Sequence, residues 1–118
     1  MLESVMDEIA SRTPGFQGAS VMGTDGIPLT QRVVEEGPDL ELFAAECSAL
    51  LKTLSGFSSQ EECGTLRAVQ TGGDRWKLLL ERITSDYFLL LVVTSEASVG
   101  HCRYRLRCAA LDLESELA

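Results

Sequence analysis

The chain of 118 residues is 45% hydrophobic and 24% charged, which is the balance of one soluble globular domain over residues 1–118. Its formal net charge of −8 and its lack of a basic stripe argue against nucleic acid and anionic membranes as partners. The longest apolar run is far shorter than a membrane span, and the acidic N-terminus lacks the pattern of a signal peptide, so we expect a cytoplasmic protein with no membrane insertion.

The first predicted element is an amphipathic helix that ends at Pro14-Gly15, a pair that stops helices. Apolar residues recur at helical spacing along one of its sides, which predicts a single core-facing stripe. This stripe consists of Leu2, Val5, Met6 and Ile9.

A β-hairpin is predicted next, from about Gly18 to Val34. Asp25-Gly26 is a strong signal for a two-residue turn, in which both central residues take a positive φ. Pro28 cannot donate a ladder hydrogen bond, so we place the second strand at an edge of the sheet. Apolar and polar residues alternate along that strand, as Ile27, Leu29 and Val33 against Thr30 and Arg32.

The longest predicted helix follows the turn-forming residues around Pro38, which can occupy the first helical turn, and Gly56 is its expected stop. One apolar stripe runs along it and should face the core. The stripe comprises Leu40, Phe43, Ala44, Cys47, Leu51 and Leu54.

Three strands are predicted in quick succession, over residues 65–71, 75–82 and 87–94. The third is almost wholly apolar, which is typical of a strand buried on both faces, so we place it inside the sheet. A last helix, with Ser95 as its expected N-cap, carries apolar residues from Val99 to Leu117 at helical spacing. This order of elements, α-β-β-α-β-β-β-α, predicts an antiparallel α+β domain.

Two stretches of the sequence resemble the Roadblock / dynein light chain domain family, in its bacterial, MglB-like form. They are GASVMGTDGIPLTQ, residues 18–31, and residues 64–113, where Gly100, Arg103 and Leu106 match the family's pattern near the start of the last helix. The resemblance covers essentially the whole chain, although no single motif is diagnostic. It implies a profilin-like, five-stranded antiparallel sheet in the order 2-1-5-4-3, with the first and third helices on one face and the long helix on the other. It also implies homodimerisation and binding to a small Ras-like GTPase.

No arrangement of residues indicates an enzyme, a cofactor site or a metal site. His101 and Cys102 are neighbours on a helix and point apart, so they cannot form a nucleophilic pair. Residues 71–75 are too short for a phosphate-binding loop and are explained as a hairpin turn. The four cysteines have no ligand-like spacing, and we expect them to be small buried residues in a reducing compartment: Cys47, Cys63, Cys102 and Cys108.

The long helix and the strand after it suggest a dimer interface. Leu42, Ala45, Ala49 and Thr53 form a second stripe, roughly opposite the core-facing one, and small side chains allow a second helix to approach closely. The alternative is an exposed, alanine-rich helix selected for its helix propensity. The strand predicted over residues 65–71 lies at the other edge of the sheet. It has one charge and no proline, so a second copy could pair with it through Thr65, Arg67 and Val69.

Acidic charge is concentrated in the first half of the chain, at and near the start of the long helix. These acids are either a solvated surface or a binding surface for a basic patch on the GTPase, where they would accelerate association. The residues are Glu35, Glu36, Asp39, Glu41 and Glu46.

The leading functional hypothesis is a non-catalytic regulator or scaffold that homodimerises and binds a small Ras-like GTPase. Because the sequence ends directly after the last predicted helix, without the tail of longer family members, scaffold and activator roles both remain open. The alternative hypothesis is a profilin-like or PAS-like small-molecule sensor, which would need a pocket between the sheet and the helices.

Overall fold

The computed structural model describes residues 1–58 and 63–118 and contains the eight elements expected from the sequence, in the expected order. The elements are α1 (Leu2–Arg12), β1 (Phe16–Gly23), β2 (Pro28–Val33), α2 (Leu40–Ser58), β3 (Ala68–Gly72), β4 (Trp76–Arg82), β5 (Tyr87–Thr94) and α3 (Val99–Leu117).

The strands form one antiparallel sheet in the order β2-β1-β5-β4-β3, which confirms the predicted topology. β2, with Pro28, lies at one edge, and β3 lies at the other. Every residue from Phe88 to Val93 in the central strand β5 is buried. The nearly continuous apolar run is explained by burial on both faces of the sheet.

The core has two layers, one on each face of the sheet. Leu89, Leu91 and Val93 of β5 pack in the layer covered by α1 and α3. The alternate residues Leu90 and Val92 pack in the layer covered by α2. The predicted stripe of α2 faces this second layer, where Leu40, Ala44, Cys47 and Leu51 are buried and Phe43 is half-buried.

The turn between β1 and β2 is longer than predicted. Gly26 has a φ of +87°, whereas Asp25 keeps a negative φ, so the predicted two-residue turn is wrong. The Asp25 carboxylate instead accepts a 3.0 Å hydrogen bond from the amide of Ile27, and the amide of Gly26 donates to the carbonyl of Gly23 at 2.9 Å. This side-chain bond to the backbone gives a four-residue loop between the strands.

The polar side of β2, and not its apolar side, is covered by a helix. Thr30 donates a 3.0 Å hydrogen bond to Glu3 of α1. Arg32 forms ion pairs with Glu3 and with Asp7. The apolar residues of the alternating pattern remain in solvent, with exposed fractions of 64% for Ile27, 47% for Leu29 and 48% for Val33.

Several predicted boundaries shift in the structure. Asp39 caps α2 by accepting a 3.2 Å hydrogen bond from Leu42, so Pro38 precedes the helix. Gly56 is not a stop, because the helix continues to residue 58 and tolerates the cost of about 1 kcal/mol for an internal glycine. Ser98, and not Ser95, caps α3 by accepting from the amide of His101 at 3.3 Å. None of the described helices has a stretch long and apolar enough to cross a membrane.

Candidate functional site

The predicted second stripe of α2 lies on the side of the helix that faces away from the sheet. Leu42 is 53% exposed, and Ala45, Ala49 and Thr53 are also exposed. The Thr53 hydroxyl donates to the carbonyl of Ala49 at 3.2 Å, which satisfies its own polar group. This outward face of α2 is therefore small, mostly apolar and uncovered within the described chain.

β3 lies at one edge of the sheet. It pairs with β4 along one side, and no strand among residues 1–58 and 63–118 pairs with its other side. Val69 lies in the strand and is half-buried against the α2 layer. The predicted strand start is wrong for Thr65, since β3 begins at Ala68; Arg67 contributes its carbonyl, which accepts from Arg82 at 2.7 Å.

A groove of about 240 Å³ lies between α2 and the strands β3 and β4. Burial, with the adjacent charge of Glu46, raises the pKa of Cys47 in this groove to about 11, so its thiol is neutral at pH 7. Most of this lining was not predicted from the sequence. Leu50 directly follows Ala49 of the second stripe, and its position was the one local signal for an apolar surface here. The lining residues are Glu46, Cys47, Leu50, Val69, Thr71, Leu78 and Leu80.

The five predicted partner-binding acids are all exposed but do not form one cluster. Glu35 and Glu36 lie in the turn before α2, Asp39 caps the helix, and Glu41 lies in its first turn. Glu46 instead lines the groove toward β3. Acids at a helix N-terminus also stabilise the helix dipole, which gives Asp39 and Glu41 a structural role of their own.

Three exposed apolar residues were not identified as a surface from the sequence. Leu29 and Val33 lie on β2, the edge strand that α2 contacts, and Ile27 directly precedes it. They are exposed because the covered face of that strand is its polar one. Their alternation was visible, but which side would be covered was not. We define the β2–α2 surface as Ile27, Leu29, Val33, Glu35, Glu36, Glu41 and Leu42.

The structure brings no nucleophilic pair together at His101 and Cys102. The His101 ring is exposed and lies 3.4 Å from the carbonyl of Arg12, whereas Cys102 is 1% exposed and burial raises the pKa of its thiol. Cys63 is exposed, so the expectation of four buried cysteines is wrong for this residue. Within residues 1–58 and 63–118, no group of three or more potential ligands is placed to hold a metal ion.

A cavity between α1 and α3, lined in part by Ile9 and Ala109, measures about 20 Å³. This volume is close to the space needed for one water molecule. A small-molecule sensor would need a larger pocket, so the cavity between α1 and α3 does not support that hypothesis.

By sequence, no family model and no curated protein matches the chain. By structure, the gliding protein MglB from Thermus thermophilus aligns over 99% of this chain and 90% of its own, with a TM-score of 0.87 at 18% identity. An MglB with a tetrameric arrangement aligns over 97% of this chain and 85% of its own, with a TM-score of 0.86 at 18% identity.

A Roadblock/LC7 domain from Streptomyces avermitilis aligns over 97% of this chain and 95% of its own, with a TM-score of 0.84 at 20% identity. At these identities the likeness concerns the fold, and it agrees with the strand order and helix placement described above. The chain has the Roadblock fold in its bacterial, MglB-like form.

Proposed function

We propose that the chain homodimerises and acts as a non-catalytic regulator or scaffold for a small Ras-like GTPase. The observation that carries the proposal is that, in the part of the chain that the structure describes, nothing covers the outward face of α2 and no strand pairs with the outer edge of β3. Both surfaces favour contact with a partner, because the helix exposes apolar groups and the strand exposes main-chain hydrogen-bonding groups.

A second copy would satisfy both surfaces at once. Pairing of two β3 strands across a two-fold axis would continue the sheet, and it would bring two α2 helices together on the same face. Ala45 and Ala49 permit the close approach that such helices need. The groove between α2 and β3 would then be filled by the partner copy, and the tetrameric arrangement of a similarly folded MglB supports self-association.

The β2–α2 surface supports binding of a protein partner. It combines exposed Ile27, Leu29 and Leu42 with acidic charge, and such a mixture of apolar contact and charge is suited to a protein interface. The structural likeness to the gliding protein MglB, together with the family's association with Ras-like GTPases, favours such a GTPase as the partner. Binding could order the GTPase's own switch residues, since the switch conformation determines its hydrolytic rate.

The test is the association rate with a Ras-like GTPase encoded beside this gene, loaded with GDP or with a non-hydrolysable GTP analogue. The Glu35→Lys/Glu41→Lys variant, which reverses two exposed acids of the β2–α2 surface, should bind several-fold more slowly at low salt. The difference should be smaller at physiological ionic strength, where the Debye length is ~8 Å. The matched control is Glu114→Lys/Glu116→Lys, which reverses two exposed acids of α3.

Equal association rates for the parent and the Glu35→Lys/Glu41→Lys variant would remove these acids from the contact. An absence of binding in both nucleotide states would contradict the proposal of a GTPase partner. Equal slowing by the control variant would assign the effect to net charge and not to the β2–α2 surface.

A further inference from the structure

A second groove lies on the opposite face of the sheet from α2, between α3 and the β3–β4 edge. Its volume is about 620 Å³, and it opens broadly to solvent. Among the described residues that line it are three arginines and one carboxylate, so it carries an excess of two positive charges on a chain whose net charge is −8. We call it the arginine groove: Arg67, Ala68, Glu81, Gly100, Arg103, Tyr104 and Arg107.

The base of the arginine groove is an ion-pair network around a buried carboxylate. The Glu81 side chain is 4% exposed, and its two carboxylate oxygens face Arg103 at 3.6 Å and Arg107 at 3.4 Å. Arg103 also donates to the side-chain oxygen of Gln70 at 2.8 Å. A buried carboxylate must be paired to be tolerated, and here it holds two guanidinium groups of α3 in place.

The arginines have donor capacity beyond what Glu81 uses. Arg107 is 46% exposed and Arg103 is 33% exposed, and a guanidinium has five N–H donors. Arg67 lies exposed in the same lining and acts on Glu81 through its charge. Arginines held by a neighbour lose little further freedom when they bind a carboxylate, which is a form of preorganisation.

We propose that the arginine groove binds an acidic peptide segment of a partner protein, on the side of the sheet away from α2. The exposed ring of Tyr104 and the small residues Ala68 and Gly100 offer a surface for the peptide backbone between the charged contacts. The groove is larger than one phosphate or carboxylate ion needs, and its positive charge contrasts with the acidic remainder of the chain. Arginine clusters recognise acidic motifs through charge-assisted hydrogen bonds.

The test uses a fluorescein-labelled hexaglutamate peptide and fluorescence anisotropy at physiological ionic strength, where remote acids are screened beyond ~8 Å. The variant Arg67→Gln/Arg107→Gln removes two groove charges while Arg103 remains to pair with Glu81. The matched control Arg12→Gln/Arg75→Gln removes two exposed charges outside the groove. The groove variant should weaken binding roughly tenfold or more, and the control less than about twofold.

Amide chemical-shift changes in the parent provide a readout that does not depend on any variant. On addition of hexaglutamate they should concentrate at Ala68, Gly100 and Tyr104. Equal weakening by the two variants, or shift changes spread away from the groove, would overturn the proposal. Displacement of the peptide by millimolar inorganic phosphate, with the same groove shifts, would assign the site to a free anion and would also overturn it.

The mass of the parent and the groove variant in solution completes the experiment. We expect the two masses to agree, because strand pairing at the β3 edge uses main-chain groups that Arg67→Gln leaves in place, and Arg107 lies on the face opposite α2. A lower mass for the variant would show that the arginines bind a second copy of the chain, and it would overturn the assignment to a separate acidic partner.

Discussion

Ser48 in α2 donates a 2.7 Å hydrogen bond from its hydroxyl to the carbonyl oxygen of Thr24, in the loop between β1 and β2. The same loop contacts the helix at Gly26, where a Cβ would lie 3.1 Å from the Cβ of Ser48. These contacts fix the middle of α2 against the first hairpin. They thereby set the direction in which the outward face of α2 points.

Replacement Ser48→Ala should destabilise the fold by about 1–2 kcal/mol, because a part-buried carbonyl at Thr24 loses its donor. Urea unfolding of parent and variant measures this difference. The control is Ser115→Ala, at an exposed position of α3. A variant as stable as the parent would show that the hydrogen bond does not contribute to the attachment of α2.

Two glycine replacements should have opposite effects. Gly26→Ala should destabilise by about 1–3 kcal/mol, since Gly26 has a φ of +87° and its added Cβ would press on Ser48. Gly56→Ala should stabilise by about 0.5–1 kcal/mol, since Gly56 lies within a helix and the new Cβ would point into open space. Thermal unfolding measures both, and a shift of the same sign in the two variants would contradict this account.

The burial of Glu81 predicts a specific dependence of stability on pH. Burial raises the pKa of this carboxyl, and the charges of Arg103 and Arg67 oppose the rise. A folded-state pKa above the unfolded value favours the protonated form in the fold, so the stabilisation by that proton is lost as pH rises through the folded-state pKa. In Glu81→Gln the side chain is neutral at every pH, so this variant does not lose stability through deprotonation at position 81.

The melting temperature of Glu81→Gln relative to the parent should therefore increase as pH rises from 4 to 7. Glu116→Gln, at an exposed position of α3, is the control for a general carboxylate effect. A relative decrease over the same range would mean that the arginines, and not burial, dominate at Glu81.

The four cysteines should differ in reactivity toward a thiol reagent at pH 7.5. Cys63 is exposed and should react rapidly. Burial raises the pKa of Cys47 to about 11 and also raises that of Cys102, so both are protonated thiols at pH 7.5 and should react far more slowly than Cys63. Mass spectrometry of the labelled native chain locates the modified residues. Rapid native labelling of Cys102 would contradict its position in the core.

The strand order and the two layers could be anticipated because the relevant signals are local. The apolar run of β5 indicates a strand buried on both faces, and Pro28 indicates an edge strand. The covered side of β2 could not be anticipated, because it depends on ion pairs between Arg32 and α1 that join residues far apart in sequence.

The same reason explains the failure to find the arginine groove. Arg103 and Arg107 are spaced four residues apart and so share one side of α3, which was visible in the sequence. Their partner Glu81 lies in an apolar strand, and nothing local indicates that its carboxylate turns toward that helix. The predicted cap of α3 was also wrong, because both Ser95 and Ser98 are suitable cap residues. The turn closed by the hydrogen bond from the Ala97 amide to the Thr94 carbonyl contains Ser95, so the helix begins after Ser98.

Sedimentation equilibrium on the parent and on Ala49→Arg tests the proposed dimer most directly. At micromolar concentration the parent should have twice the single-chain mass of 12.8 kDa. Ala49→Arg should have the single-chain mass, because a charge would be placed between closely packed helices. Ser115→Arg, an exposed position on the other face of the sheet, should remain dimeric. A parent with the single-chain mass, or an Ala49→Arg variant that remains dimeric, would contradict a dimer formed through the outward face of α2.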